Sequence, residues 1–235
     1  MNYFAHGRHF VDDPYFLAGT AVPDWLNVVD RRVRVRSHHA KQYLSVPDEP
    51  TARVAAGILR HCEDDAWFHN TRAFAELSLT LCGMLREQLP DDEGFRPHFL
   101  GHILVEILLD ATLAADDPAR LEAYYTALDR LDADAVAAAV DTIAPRPAAN
   151  LGTFIGLFSR ERFLFDYSDD GKLLFRLNQV MRRVGLPLLP RTIEETLAAM
   201  RPLVADRQDE LLAQPSVGTR RARSPDNTDS TENSR

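Results

Sequence analysis

The stretch HFLGHILVEILLDATLAA, residues 98–115, constrains the fold more than any other part of the chain. As a helix it is apolar on nearly every side, and such a helix has to lie at the centre of a bundle. Its ionisable groups are His98, His102, Glu106 and Asp110, one every four residues. At about 100° per residue each step of four drifts by only about 40°, so they form one gently winding stripe. A carboxylate buried there alone would cost roughly several kcal/mol. The stripe must therefore be paired or ligate a metal. A His-x-x-x-Glu spacing sets both side chains on one face, which suits a shared ion.

The same arrangement occurs in GILRHCEDDAWFH, residues 57–69. On a helical wheel His61, Asp65 and His69 fall inside the apolar stripe of Val54, Ile58, Cys62 and Phe68. Arg53, Arg60, Glu63 and Asp64 are expected on the opposite, solvated side. All eight histidines lie in the first 102 residues, which points to a site built from the N-terminal half. His6, Asp24 and one of His38 or His39 complete the candidate set. Each has a plainer reading as well: Asp24 as a helix cap before Trp25, the three histidines as surface residues.

Along the chain, a short helix is expected around residues 14–21, with a turn at Pro23. Residues 31–41, RRVRVRSHHAK, read as an exposed basic segment. A helix capped by Thr51 should run to about His69, and a second should open at Asn70–Thr71 and stop at Pro90. The loop DDEGFRP comes next, and Pro97 suits the first turn of the apolar helix. Further helices are expected over residues 119–131 and 132–144, 151–166, the stretch after SDDG, and 191–213. Strand-like alternation, internal repeats and phosphate-binding glycine loops are not seen. The fold class is all-α, a compact bundle of roughly seven to nine helices. Residues 1–213 form one domain, and residues 214–235, nearly devoid of apolar side chains, a disordered tail.

A net charge of -8 argues against a nucleic-acid partner. No apolar run approaches the length of a membrane span, and MNYFAHGRHFVDDP lacks the apolar core of a secretory signal. Cys62 and Cys82 read as reduced core thiols. A cytoplasmic protein without a membrane partner is expected.

The opening MNYFAH, then YFLAGTAVPDWLNVV, VAAGILRHCEDDAWFH and ILVEILLDATLA resemble, in order over residues 1–115, the bacterial acyl carrier protein phosphodiesterase family. The resemblance implies an all-helical, distantly HD-like fold. It also implies a divalent metal and hydrolysis of the phosphodiester linking phosphopantetheine to a carrier-protein serine. Its most specific block, AGI-x-x-H-x-x-x-D, falls on His61 and Asp65, and His6 and Asp24 match its early histidine and aspartate. The family has an aspartate at the positions of His69 and Glu106, and a histidine at that of Ala111. The ligand order is also similar to that of zinc-dependent phospholipases C and single-strand zinc nucleases, with different loop lengths.

These observations lead to an expected metal-dependent phosphoester hydrolase. It would hold one to three divalent ions, zinc or manganese, between which spacing alone does not choose. Asp65 would bridge two ions. His61, Asp24 and one of His38 or His39 would hold one, and His69, His102 and Glu106 the other. Asp65 and Asp110 are the candidate catalytic residues, Asp110 as orienter or proton acceptor. The substrate is a phosphoester, with an acyl carrier protein as candidate partner. Arg31, Arg32, Arg34 and Arg36 could steer a phosphate but read first as a solvated loop, and Arg182 and Arg183 as surface. The rival reading is a non-catalytic helical interaction protein stabilised by metal. An HD-type nucleotide hydrolase fits less well, since no adjacent His-Asp pair occurs.

Overall fold

The computed structural model describes residues 1–89 and 94–214. Among the described residues the chain is all-α. Nine helices of eleven residues or more are joined by shorter turns. They are α2 (Pro14–Val29), α4 (Glu49–Phe68), α5 (Arg72–Gln88), α6 (Pro97–Asp116), α7 (Pro118–Asp129), α8 (Ala133–Ile143), α9 (Leu151–Glu161), α10 (Asp170–Val184) and α11 (Ile193–Ala205). Short helices α1 (Tyr3–Gly7), α3 (Ser37–Ala40) and α12 (Gln208–Leu212) complete the set, with a 3-10 segment at Phe163–Ser168. The tail expectation lies, from residue 215 onward, outside the described residues, as do residues 90–93 of the expected loop.

Helix α6 is the centre that its sequence requires. Leu100, Leu104, Val105, Leu108 and Leu109 are all but inaccessible. By length and composition it could cross a bilayer, contrary to the sequence expectation, but 56% of its apolar window is buried inside the bundle. It is the core helix here. Gly101 lets α5 approach closely: a Cβ at that position would stand 2.6 Å from the Ser78 carbonyl oxygen.

The expected turn at Pro23 does not occur. Helix α2 continues through the proline to Val29. A proline inside a helix removes one ladder hydrogen bond and costs about 3 kcal/mol. Burial of Leu17, Ala18, Ala21, Val22, Trp25 and Leu26 against the bundle outweighs that loss. The tightest contact is with α4, where Gly57 meets Gly19. A Cβ on Gly57 would lie 2.2 Å from the Phe16 carbonyl oxygen and 2.7 Å from the Gly19 Cα.

Helix α4 starts earlier than Thr51. Asp48 is the cap, accepting the Thr51 N–H at 3.0 Å, and Pro50 sits in the first turn. An aspartate before Glu-Pro is the stronger start signal. Thr71 caps α5 as expected, accepting from the Phe74 N–H. The last expected helix is divided at Asp206–Arg207 into α11 and α12. Both cysteines are free.

Candidate metal centre

Helix α1 is only five residues long and is held from outside. Asp110 on α6 accepts the Phe4 N–H at 2.9 Å and the Ala5 N–H at 2.7 Å. Phe4 is 1% exposed and packs edge-on against Tyr124. Gly7 fits against Leu17 and Tyr124, where a Cβ would come within 2.6 Å of both side chains. So fixed, α1 directs His6 onto α4. The His6 ring stacks on His61 with centroids 4.0 Å apart.

His6, His61 and Asp65 then form one cluster. His61 Nδ1 is 2.8 Å from the Thr20 carbonyl oxygen, which can only accept, so this nitrogen carries the proton. That oxygen lies in the α2 turn just before Pro23. Nε2 of neutral His61 is thereby left as a lone pair, 3.3 Å from Asp65 Oδ2. In His6, Nδ1 faces Asp64 Oδ2 at 3.5 Å, while Nε2 is buried, 3.2 Å from Asp65 Oδ1, and makes no hydrogen bond among the described residues. An outer carbonyl or carboxylate behind each imidazole is the usual support of a metal-ligating histidine.

The second cluster is His69, His102 and Glu106. His69 ends α4, and its Nε2 lies 2.7 Å from Glu106 Oε1 on α6; His102 Nε2 lies 3.4 Å from the same oxygen. The Phe74 ring braces both imidazoles, at 4.9 and 4.8 Å. The two clusters are neighbours. The Met1 amino nitrogen is 2.8 Å from Asp65 Oδ1 and 3.5 Å from Glu106 Oε1.

Burial pushes the Asp65 carboxyl up, but His6, His61 and the Met1 amine more than offset it and hold it far below the carboxylate range. Glu106 behaves alike: burial opposes ionisation, while the amine, His102 and His69 prevail. Burial lowers His61, yet Asp65 and Asp24 leave it raised. Both carboxylates are thus anionic at neutral pH. Two sets of two imidazoles and one carboxylate are competent for zinc, manganese or iron. With three protein ligands, each set would leave a coordination position open to an ion that binds there.

Of the expected ligands, His6, His61, Asp65, His69, His102 and Glu106 come together. Asp24 does not enter either cluster. It lines the adjoining cleft, where burial pushes its carboxyl up against the pull of His61 and His6. His38 and His39 are not brought to the site. They sit on α3, His38 exposed, His39 Nδ1 accepting the Arg36 N–H at 3.1 Å. Asp110 is an orienter and not an accessible proton acceptor: it is 1% exposed, with both oxygens on backbone donors. Burial outweighs those donors and pushes its carboxyl up to about 7.

Asp64 was expected in solvent and is 2% exposed. It binds Arg60, the Trp67 indole N–H and His6. On the wheel it lies only about 60° from His61, at the border of the apolar stripe, and α1 covers that border. Sequence reasoning missed it as the support of His6. The Arg60–Asp64 spacing of four was the available signal.

Compared with protein-family models, with curated proteins and with solved structures, the chain matches none. The reading of the site rests on its own geometry.

Beside the second cluster a cleft of about 970 Å³ opens between α2, α6, α9 and α10. Glu106, His102 and Asp24 belong to its wall, and so do Arg31, Arg176 and Arg183. Arg183, read from the sequence as surface, is exposed but turned to this cleft.

Proposed function

We propose that the chain is a metal-dependent phosphoester hydrolase. The observation that carries this reading is the pairing of two adjacent His-His-carboxylate clusters, the buried His6 Nε2 making no hydrogen bond among the described residues, with a cleft that holds arginines. Divalent ions held by His6, His61 and Asp65 and by His69, His102 and Glu106 would supply Lewis acidity toward phosphoryl oxygens and acidify water. The protein's own part is threefold. Thr20 and Asp64 hold the imidazoles in one tautomer. Arg31 and Arg183 attract the anionic substrate. Asp24, whose burial favours its protonated form, would give its proton to the leaving oxygen as the ester P–O bond breaks, and would take one back from the water that adds to phosphorus.

The reading is tested with bis(4-nitrophenyl) phosphate and manganese or zinc. Turnover should appear with metal, vanish in chelator, and fall at least about 100-fold in Asp65→Asn and Glu106→Gln, the scale of losing a group acting in the transition state. Metal-loaded protein without turnover would instead favour a metal-stabilised interaction protein. A holo acyl carrier protein, assayed for phosphopantetheine release on the same preparation, decides whether the substrate suggested by the family resemblance is used.

A further inference from the structure

The cleft is far more apolar than hydrolysis of a small polar phosphoester needs. Helix α6 turns two parallel stripes to it: the polar stripe of His98, His102 and Glu106, and beside it Phe99 and Ile103. Opposite stand Phe154 and Leu157 on α9, and Val180 and Val184 on α10. Leu157 is 45% exposed, although large apolar side chains in this bundle are otherwise mostly buried. The volume falls in the range of pockets that take a drug-sized ligand. The wall carries three arginines and three carboxylates, Asp24, Glu106 and Glu161, but they are not all paired with one another. Arg176 is paired with Asp166 and Glu161, whereas Arg31 and Arg183 make no ion pair among the described residues.

We infer that this cleft binds a small amphiphilic phosphoester. Its phosphoryl group lies at His102 and Glu106, its apolar chain runs along Ile103, Phe154 and Val180, and Arg31 and Arg183 meet its anionic charge. The inference rests on the hydrolase reading for what happens to the ester, but not for the chain-binding wall. The continuity of that wall with the metal-ligand stripe on one helix makes the two parts one site. Arg31 and Arg183, without an ion pair among the described residues, favour a ligand that is anionic as well as apolar.

Two measurements separate the parts. In the first, alkyl 4-nitrophenyl phosphodiesters from methyl to hexyl are turned over with manganese. In the second, methyl- and hexylphosphonate are titrated calorimetrically into the manganese-loaded protein. A fully buried methylene is worth at most about fourfold in affinity, and the wall is half open. The hexyl compound is therefore expected to bind about thirtyfold tighter than the methyl one, with kcat/KM rising in parallel. Leu157→Glu and Val180→Glu should flatten both dependences. Chain-length-dependent phosphonate binding without any turnover would uphold the cleft and remove the hydrolase reading. Turnover and binding that are both indifferent to chain length would overturn the cleft inference and leave the hydrolase reading standing. Indifferent binding with no turnover would overturn both.

Discussion

Each imidazole of the first cluster depends on a single group behind it. Asp64 is the support of His6, and Asp64→Asn keeps the volume while removing the charge that favours the Nδ1–H tautomer. Metal affinity should fall about 10- to 100-fold, the usual cost of a lost outer partner, with helix content unchanged by circular dichroism. Glu63→Gln, exposed on the same turn, is the matched control. Arg60 is not a suitable control, since it pairs with Asp64. His61 gives the pH dependence. Its raised pKa means that metal-free folding gains stability below the ordinary histidine range, and loses it as pH rises through the raised value. Metal needs the same Nε2 lone pair, so binding must displace that proton and strengthens as pH rises. One displaced proton is worth about 1.4 kcal/mol per pH unit. For a chain of this size that is a metal-induced Tm gain larger by roughly 3–6 °C at the higher pH, as long as His61 stays mostly protonated. Scanning calorimetry at pH 6 and 7, with and without zinc, reads it. An equal gain at both would mean that the imidazole is not a ligand.

Between elements, the α2–α4 crossing sets the site. The Gly19–Gly57 contact brings the Thr20 carbonyl within reach of His61. Gly57→Ala should cost about 2–3 kcal/mol by overpacking and weaken metal binding with it. Gly83→Ala, in the exposed face of α5 with nothing within 4 Å of the new Cβ, should stabilise by about 0.5–1 kcal/mol. Urea denaturation of both variants checks the opposite signs. This crossing was only half legible in the sequence. Residues 57–69 and 98–110 disclosed their polar stripes because helical periodicity is local. Which helix stands behind His61 is a long-range fact, and Pro23 misdirected the reading of α2 because packing, invisible in one segment, outweighs the proline. The expectation for His38 and His39 failed for a related reason: two adjacent histidines carry no periodicity that says which way they face.

For the whole molecule, the all-α class followed from patterning alone, and most of the second cluster followed from steps of four on two helices. Chain tracing from α1 to α6 was not legible. The role of Asp110, two oxygens on the backbone of residues 4 and 5, emerges only when the helices are packed. The central claim is that two adjacent three-ligand sets hold metal, and elemental analysis of protein expressed with zinc or manganese tests it most directly. The wild-type protein should carry about two equivalents, one per three-ligand set. His61→Ala and His69→Ala should each retain about one. A wild-type protein that purifies without metal, and keeps its full thermal stability in chelator, would contradict the claim.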